Sequence, residues 1–354
     1  MPPSDTSRTH QLDGARPPRS AASRATLPVG PAVRALTRPI APARPAPLGT
    51  LDDALDLLAG RRVTVLTGAG ISTDSGIPDY RGPDSPPRNP LTYQQFVGDE
   101  RFRRHYWARN HVGWRHMRRT EPNPGHRAVA ALEHAGVVAG VITQNVDILH
   151  EEAGSRRVID LHGRYDRVTC LTCRAVVSRH ELDRHLEALN PGFATHIRSV
   201  ADIEIAPDAD AVIETTHDFR VAPCRACGGV LKPDIVYFGE NVPKERVAQA
   251  YAMVDDGDAL LVAGSSLAVM SGLRFVRHAA RTGRRVVIVN RGVTRGDDVA
   301  DLRLDAGTSE TLSALAARLT ANGAPPATSV SPITTSPTST STTTNAGLVG
   351  SPLG

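Results

Sequence analysis

The chain has 354 residues, 40% hydrophobic and 22% charged, a composition for one large or two smaller globular domains. No run of about 18 apolar residues occurs, which excludes a membrane-crossing helix, and four cysteines in two Cys-x-x-Cys pairs exclude a secreted disulfide scaffold. The formal charge of +4 belongs to one end: residues 1–48 hold seven arginines against Asp5 and Asp13, whereas residues 49–321 sum to about −1. No basic nucleic-acid-binding face is therefore expected.

Residues 1–48 hold ten prolines and no apolar periodicity, and read as a disordered tail. Their Arg-rich character resembles a mitochondrial transit peptide, but the prolines would break the helix such a peptide needs. Thr50 then caps a helix whose apolar face is Leu51, Leu55 and Leu58 and which Gly60 stops. Apolar runs without alternation recur at residues 63–66, 137–142, 259–262 and 286–289, the pattern of parallel strands buried on both faces. Helical patterns over residues 126–135 and 271–281, closed by Gly136 and Gly283, separate them. Alternating strands and helices predict an α/β fold, a doubly wound, Rossmann-like parallel sheet whose ligands bind beyond the carboxyl ends of the strands. Residues 49–79, 125–164 and 237–321 make up this part. Two stretches, 80–124 and 165–236, break the alternation and are expected to form a smaller zinc-binding and helical module inserted over the strand ends. Residues 322–354, rich in Thr, Ser and Pro and without charge, read as a second disordered tail.

Gly68-Ala69-Gly70-Ile71-Ser72 follows the first strand directly. Glycines there let backbone N–H groups approach a pyrophosphate, although a tight strand-to-helix turn would use them equally. The third glycine of the ordinary dinucleotide fingerprint is replaced by Thr73, and no strand ending in a carboxylate follows about 20 residues later, which disfavours a hydride-transferring dehydrogenase. Cys170-x-x-Cys173 and Cys224-x-x-Cys227, 50 residues apart, supply two knuckles and four thiolates for one tetrahedral zinc. With every position taken by sulfur, that zinc is structural. Gln144-Asn145-Val146-Asp147 ends the second strand, where its side chains could hydrogen-bond a ribose or an amide, or cap the strand. His162 could serve as a general base near neutral pH or as a buried structural histidine.

These residues together resemble one family. The run from Gly68-Ala69-Gly70-Ile71-Ser72-Thr73 through Asp79-Tyr80-Arg81 is similar to the leading motif of the sirtuins, NAD-dependent protein lysine deacylases. Thr143-Gln144-Asn145-Val146-Asp147, Leu161-His162-Gly163, the two cysteine pairs, Lys232-Pro233-Asp234, Gly264-Ser265-Ser266-Leu267 and Val289-Asn290 follow in the family's order. The resemblance spans roughly residues 50–320. Tyr106-Trp107-Ala108-Arg109-Asn110 and the run from Gly264 to Gly272 resemble the class II branch, which has a mitochondrial member in animals.

The resemblance implies that Gly68, Ala69 and Gly70 cradle the NAD pyrophosphate, and that Asp79, Tyr80 and Arg81 belong to a cofactor loop. Gln144 would hold a ribose, and Asn145, with Val146 beside it, and Asp147 would hold the nicotinamide amide. Gly264, Ser265, Ser266, Asn290, Arg291 and Gly292 would contact the adenosine half, and Thr308 the adenine. His162 would be the general base. The acyl oxygen of the substrate would attack the nicotinamide ribose as nicotinamide leaves, giving free lysine and O-acyl-ADP-ribose, and His162 would then remove a proton from a ribose hydroxyl. Val236, Phe238 and Gly239 would pair with the substrate backbone as an added strand. Tyr106 and Arg109 form a Tyr-x-x-Arg pair that could grip an acidic acyl chain, while Trp107 and Trp114 read as module core. The implied cofactors are NAD and one zinc, and the partner is an acylated lysine of a protein, with no nucleic acid and no membrane. A mono-ADP-ribosyltransferase on the same fold and a zinc-ribbon adaptor without chemistry are the rival readings. Reduced thiols place the protein in the cytoplasm, with the mitochondrion second.

Overall fold

The computed structural model describes residues 44–81, 90–196 and 216–321. The predicted tails at residues 1–43 and 322–354 lie outside them. Residues 44–48, expected in the first tail, instead belong to the fold: the Arg303 N–H donates to the Pro47 carbonyl at 2.8 Å and the Gly49 N–H to the Arg303 carbonyl at 3.1 Å. Leu48 thereby bridges the edge of the main sheet. Composition alone missed this because a single strand-edge contact has no periodicity.

Six parallel strands form that sheet: β1 (Val63–Thr67), β2 (Val138–Thr143), β3 (Val158–Asp160), β7 (Ala259–Ala263), β8 (Arg285–Val289) and β9 (Leu302–Leu304). Their order is β3-β2-β1-β7-β8-β9. The four predicted runs are β1, β2, β7 and β8. The two edge strands escaped the sequence because each is three residues long. Every residue of β1, β2 and β7 is buried, as unbroken apolar runs require when helices cover both faces.

Helix α1 (Leu51–Leu58) starts with a reciprocal cap: the Asp53 N–H donates to Thr50 Oγ1 and the Thr50 N–H to Asp53 Oδ2. It packs with α4 (Pro124–His134) and α10 (Thr308–Ala321) on one face, over Val65, Leu261 and Val287. On the other face α8 (Lys244–Asp255) and α9 (Met270–Arg281) cover Leu66, Leu260, Val262 and Ile288. Consecutive residues of one strand thus serve opposite cores.

The smaller module is a three-stranded antiparallel sheet, ordered β5-β4-β6, from β4 (Gly163–Cys170), β5 (Val176–Ser178) and β6 (Leu231–Ile235). Helices α2 (Tyr93–Gly98), α3 (Glu100–Met117) and α6 (Arg179–Leu189) pack on it. Their shared core holds Phe96, Tyr106, Trp107, Leu186, Phe219 and Tyr237. Trp107 and Trp114 are buried, with the Arg179 guanidinium over both rings at 5.6 and 4.9 Å. Two short helices, α5 (Leu149–Glu152) and α7 (Phe193–His196), complete the α-helices among the described residues. No helix among the described residues is long and apolar enough to cross a membrane.

Candidate active site

The chain leaves β1 to one side of the sheet and β7 to the other, so β1 and β7 meet at the topological switch point. Their carboxyl ends, Thr67 and Ala263, are paired in register, and a crevice is expected beyond them. A cavity of about 300 Å³ lies there, and the module roofs it with residues 235–240.

The glycine turn forms one wall. Its tight course follows from contact with the end of β7: the Gly70 N–H donates to the Gly264 carbonyl at 2.8 Å, and the Gly68 N–H to the Ala263 carbonyl at 3.2 Å. A Cβ on Gly70 would stand 2.9 Å from Gly264 Cα and O. These glycines therefore answer to packing as well as to a ligand. The N–H groups of Gly68, Gly70, Ile71 and Ser72 are all bound within the protein. Ala69, the first residue of a one-turn 3-10 helix, has an N–H with no partner inside that turn and faces the cavity.

A buried polar chain lies behind it. Ser72 Oγ donates to Asp147 Oδ2 at 2.7 Å and accepts from Asn145 Nδ2 at 3.0 Å, while the Leu149 N–H donates to Asp147 Oδ1 at 3.1 Å. Burial raises the Asp147 pKa, against the pull of these hydrogen bonds. Gln144 Nε2 donates to Ser265 Oγ at 2.7 Å, tying β2 to the loop after β7. Gly272 permits this approach, since a Cβ there would stand 2.6 Å from Gln144 Oε1.

His162 follows directly after Leu161, whose N–H donates to the Thr143 carbonyl at 2.8 Å, and it precedes β4. Its Nδ1 lies 2.8 Å from the Gln144 carbonyl and its Nε2 2.8 Å from Ser271 Oγ. A carbonyl only accepts, so Nδ1 carries the proton and Nε2 holds the lone pair. Burial pushes the ring pKa down to about 4, the Gln144 carbonyl opposing this and Arg246 and Arg274 reinforcing it. At neutral pH His162 is an unprotonated base.

Of the sequence-predicted residues, Gly68, Ala69, Gly70, Asp79, Tyr80 and Arg81 line the cavity, as do Gln144, Asn145, Val146, Asp147 and His162. So do Val236, Phe238, Gly239, Gly264, Ser265, Ser266, Asn290 and Arg291. Four do not. Gly292 lies behind Asn290, whose Nδ2 donates to its carbonyl at 3.2 Å. Thr308 is buried at the start of α10 with its hydroxyl donating to the Gly70 carbonyl at 3.3 Å, so it braces the glycine turn. Tyr106, 3% exposed, is packed between Phe96 and Tyr237 with centroids at 5.6 and 5.5 Å. Arg109 turns to His105 Nε2 at 3.1 Å. Among the described residues, α3 thus carries Tyr106 into the module core and Arg109 beside His105, and neither lines the cavity.

The segment 236–239 is also less open than a bare edge strand. The Val236 N–H donates to the His162 carbonyl at 2.7 Å, the Tyr93 N–H to the Phe238 carbonyl at 2.9 Å, and Gln94 Nε2 to the Gly239 carbonyl at 3.2 Å. Sequence reading assigned no role to three further residues: Ser72, Ser271 and Lys232. The hydroxyls lay inside quoted motifs without a distinguishing pattern. Lys232 is one of two lysines in the chain and is buried against Glu240, Nζ to Oε2 3.0 Å.

The four cysteine sulfurs lie within 4.8 Å of one another, with Cys170–Cys227 at 3.5 Å and Cys173–Cys224 at 3.8 Å. Zinc–sulfur bonds of about 2.3 Å in a tetrahedron place sulfurs about 3.8 Å apart, so this donor set fits zinc. A hydrogen bond from the Cys173 N–H leads the lowering of the Cys170 thiol to about 6, while Cys227 moves up to about 12, the Gly229 N–H opposing and the Cys173 and Cys170 sulfurs driving the rise. Cys170 ends β4, eight residues beyond His162, at most about 26 Å away along an extended chain.

Residues 68–271 match the family model described as the Sir2 family. The chain belongs to the Sir2 family. Among its relatives is NAD-dependent protein deacetylase 1 of Mycobacterium avium (strain 104), 64% identical over 263 residues, covering 74% of this chain and 93% of the relative. The protein of the same name from Streptomyces coelicolor is 52% identical, covering 78% and 93%. Among solved structures, a Sir2 with a p53 peptide and NAD+ is similar with a TM-score of 0.56 and 31% identity, covering 77% of this chain and 98% of the other. In this Sir2-family chain the matched segment runs from the glycine turn to Ser271, the hydroxyl at His162.

Proposed function

We propose that this protein is an NAD-dependent protein lysine deacylase. The observation that carries this reading is His162, a neutral imidazole with its Nδ1 proton pinned to Gln144 and its Nε2 in the same cavity as the glycine turn and residues 236–239. The names of the relatives and the peptide–NAD+ complex of a similar Sir2 support it.

The residues present suit NAD. Ala69, Arg81 and Arg291 offer donors and charge for the phosphates, Asn290 for a ribose, and the buried Asn145–Ser72–Asp147 chain for an amide. NAD supplies the ribose carbon that accepts the acyl oxygen as nicotinamide leaves. Ile77, Tyr80, Phe238 and Val242 give the cavity apolar walls that keep water from that carbon. His162 takes the hydroxyl proton. A zinc held by Cys170, Cys173, Cys224 and Cys227 would be structural, fixing the sheet whose β4 begins at the base and whose β6 leads into the substrate segment.

With Arg109 outside the described cavity lining and Ile77, Phe238 and Val242 within it, uncharged acyl groups such as acetyl are the favoured substrates over succinyl or glutaryl. The class II motifs, and cysteines placed for a metal and not for disulfides, support a class II, cytoplasmic enzyme. Mass spectrometry of NAD with a panel of acyl-lysine peptides tests the proposal. O-acyl-ADP-ribose is expected, fastest from acetyl-lysine and lost in His162→Ala. Nicotinamide release with ADP-ribosylated protein and no acyl product would overturn it in favour of transfer to protein.

A further inference from the structure

Ser271 occupies a position that the general-base role of His162 does not explain. It is the second residue of α9, a helix of 12 residues, and its Oγ lies 2.8 Å from His162 Nε2, the ring nitrogen that must receive a proton. Because Nδ1 is committed to the Gln144 carbonyl, Nε2 accepts and the Ser271 hydroxyl donates. Both residues line the same cavity. Any substrate hydroxyl that reaches the base from the cavity therefore meets either a displaced Ser271 or Ser271 itself.

We propose that the Ser271 hydroxyl is a proton relay between the substrate's ribose hydroxyl and His162. Ser271 Oγ takes the substrate proton while its own proton passes along the existing hydrogen bond to Nε2. The O–H bond of the ribose breaks, an O–H bond forms on serine, the serine proton becomes the N–H of an imidazolium, and the ribose oxygen keeps its electron pair. That pair goes on to bond the acyl carbon, and the imidazolium N–H proton then passes through Ser271 Oγ to the lysine nitrogen as its bond to that carbon breaks, which resets both groups. A hydroxyl suits this task because it donates to the neutral ring and accepts from the charged one without moving.

The surroundings agree. The charged groups that act on His162 are Arg246 from α8 and Arg274 from α9, both opposing a proton on the ring, and the amino end of α9 adds positive potential. The imidazolium is thereby short-lived and the proton is readily returned. Gly272, next to Ser271, lets Gln144 close against the helix, so β2 holds both the Nδ1 acceptor and the helix that carries the relay.

This inference rests on the deacylase reading, and the test separates the two. In the protein alone, the 15N resonance of His162 Nε2 is expected to change from that of a hydrogen-bonded lone pair to that of an unbonded one in Ser271→Ala, and to recover in Ser271→Thr. In turnover, Ser271→Ala is expected to slow O-acyl-ADP-ribose formation by roughly 10²-fold, while exchange of labelled nicotinamide into NAD stays within about threefold of wild type. The solvent-isotope proton inventory, bowed in wild type for two protons in flight, is expected to become linear. An Nε2 resonance indifferent to Ser271→Ala, equal product formation by that variant, or equal loss of exchange and product would each overturn the relay. If wild type forms product and the variant matches it, the relay alone fails. If wild type forms none, the deacylase reading fails and takes the relay with it.

Discussion

Lys232 and Glu240 clasp the two ends of the substrate-facing turn, and separating them is the sharpest test of how that turn is held. The ammonium donates to Glu240 Oε2 at 3.0 Å and to the carbonyls of Pro233 and Ile235 at 3.4 and 2.5 Å, and it lies 5.1 Å from the centre of the Tyr237 ring. Burial lowers the Lys232 pKa and the Glu240 carboxylate opposes that. The lysine side chain is 8% exposed and the glutamate 24%, so Lys232→Met strands a carboxylate that water reaches only in part. A fully buried broken pair costs about 3–5 kcal/mol; discounted for the exposed quarter, the loss is about 2–4 kcal/mol. At about 2–4 °C per kcal/mol for a domain of this size, Tm falls by roughly 4–16 °C. Glu240→Gln keeps an acceptor and removes the countercharge, costing about 1–2 kcal/mol. The double variant is expected to lose about 1–2 kcal/mol less than the two singles together. Glu240 also accepts from the Tyr237 N–H at 3.0 Å, so the loosened turn should raise KM for the acyl-peptide about 5- to 10-fold with KM for NAD within about twofold. Urea unfolding and steady-state kinetics on the four proteins measure both. Additive losses within about 0.5 kcal/mol, or equal rises in both KM values, refute the reasoning.

Acid should destabilise the fold through its buried histidines, although burial also raises Asp147, Glu151, Glu152 and Asp160, whose protonation opposes part of that loss. Burial, aided by Arg127, pushes His126 down to about 4, and His105 and His162 reach about 4 as well. Between pH 6.5 and 4 the unfolded chain binds protons that the fold refuses, so stability falls as pH falls, by up to about 3 kcal/mol from the fully buried His126 alone; equal urea midpoints at pH 7 and pH 5 would contradict this. Chelation should release one zinc per chain and expose the amides of β4, β5 and β6 to hydrogen exchange while β1 and β7 stay protected. Activity lost with those module amides still protected would show that the metal does something other than hold the sheet. Gly70→Ala drives a Cβ against the Gly264 backbone at 2.9 Å and threatens the Gly70–Gly264 hydrogen bond. It should weaken NAD binding at least tenfold by calorimetry, and affinity within about twofold of wild type would remove the glycine turn from the cofactor site.

Much of this architecture was legible in the amino-acid order, because its causes are local. The unbroken apolar runs at β1, β2, β7 and β8 announce strands covered on both faces, Thr50 and Asp53 announce a helix start, and two Cys-x-x-Cys knuckles announce a metal whatever lies between them. The polar residues at the strand ends marked the site for the same reason: strand ends are where a parallel sheet leaves groups unpaired. Three-residue edge strands and the contact of residues 47–49 with Arg303 carry no period and were invisible. What only the tertiary structure decided concerns direction and partnership. Tyr106 and Arg109 share helix α3, but Tyr106 packs in the module core and neither lines the described cavity. Thr308 proves to brace Gly70 because α10 begins there. The state of His162 depends on the Gln144 carbonyl and on Ser271, 18 and 109 residues away. Such pairings arise from packing two faces of a sheet against separate layers, and a protonation state follows the neighbours that packing supplies.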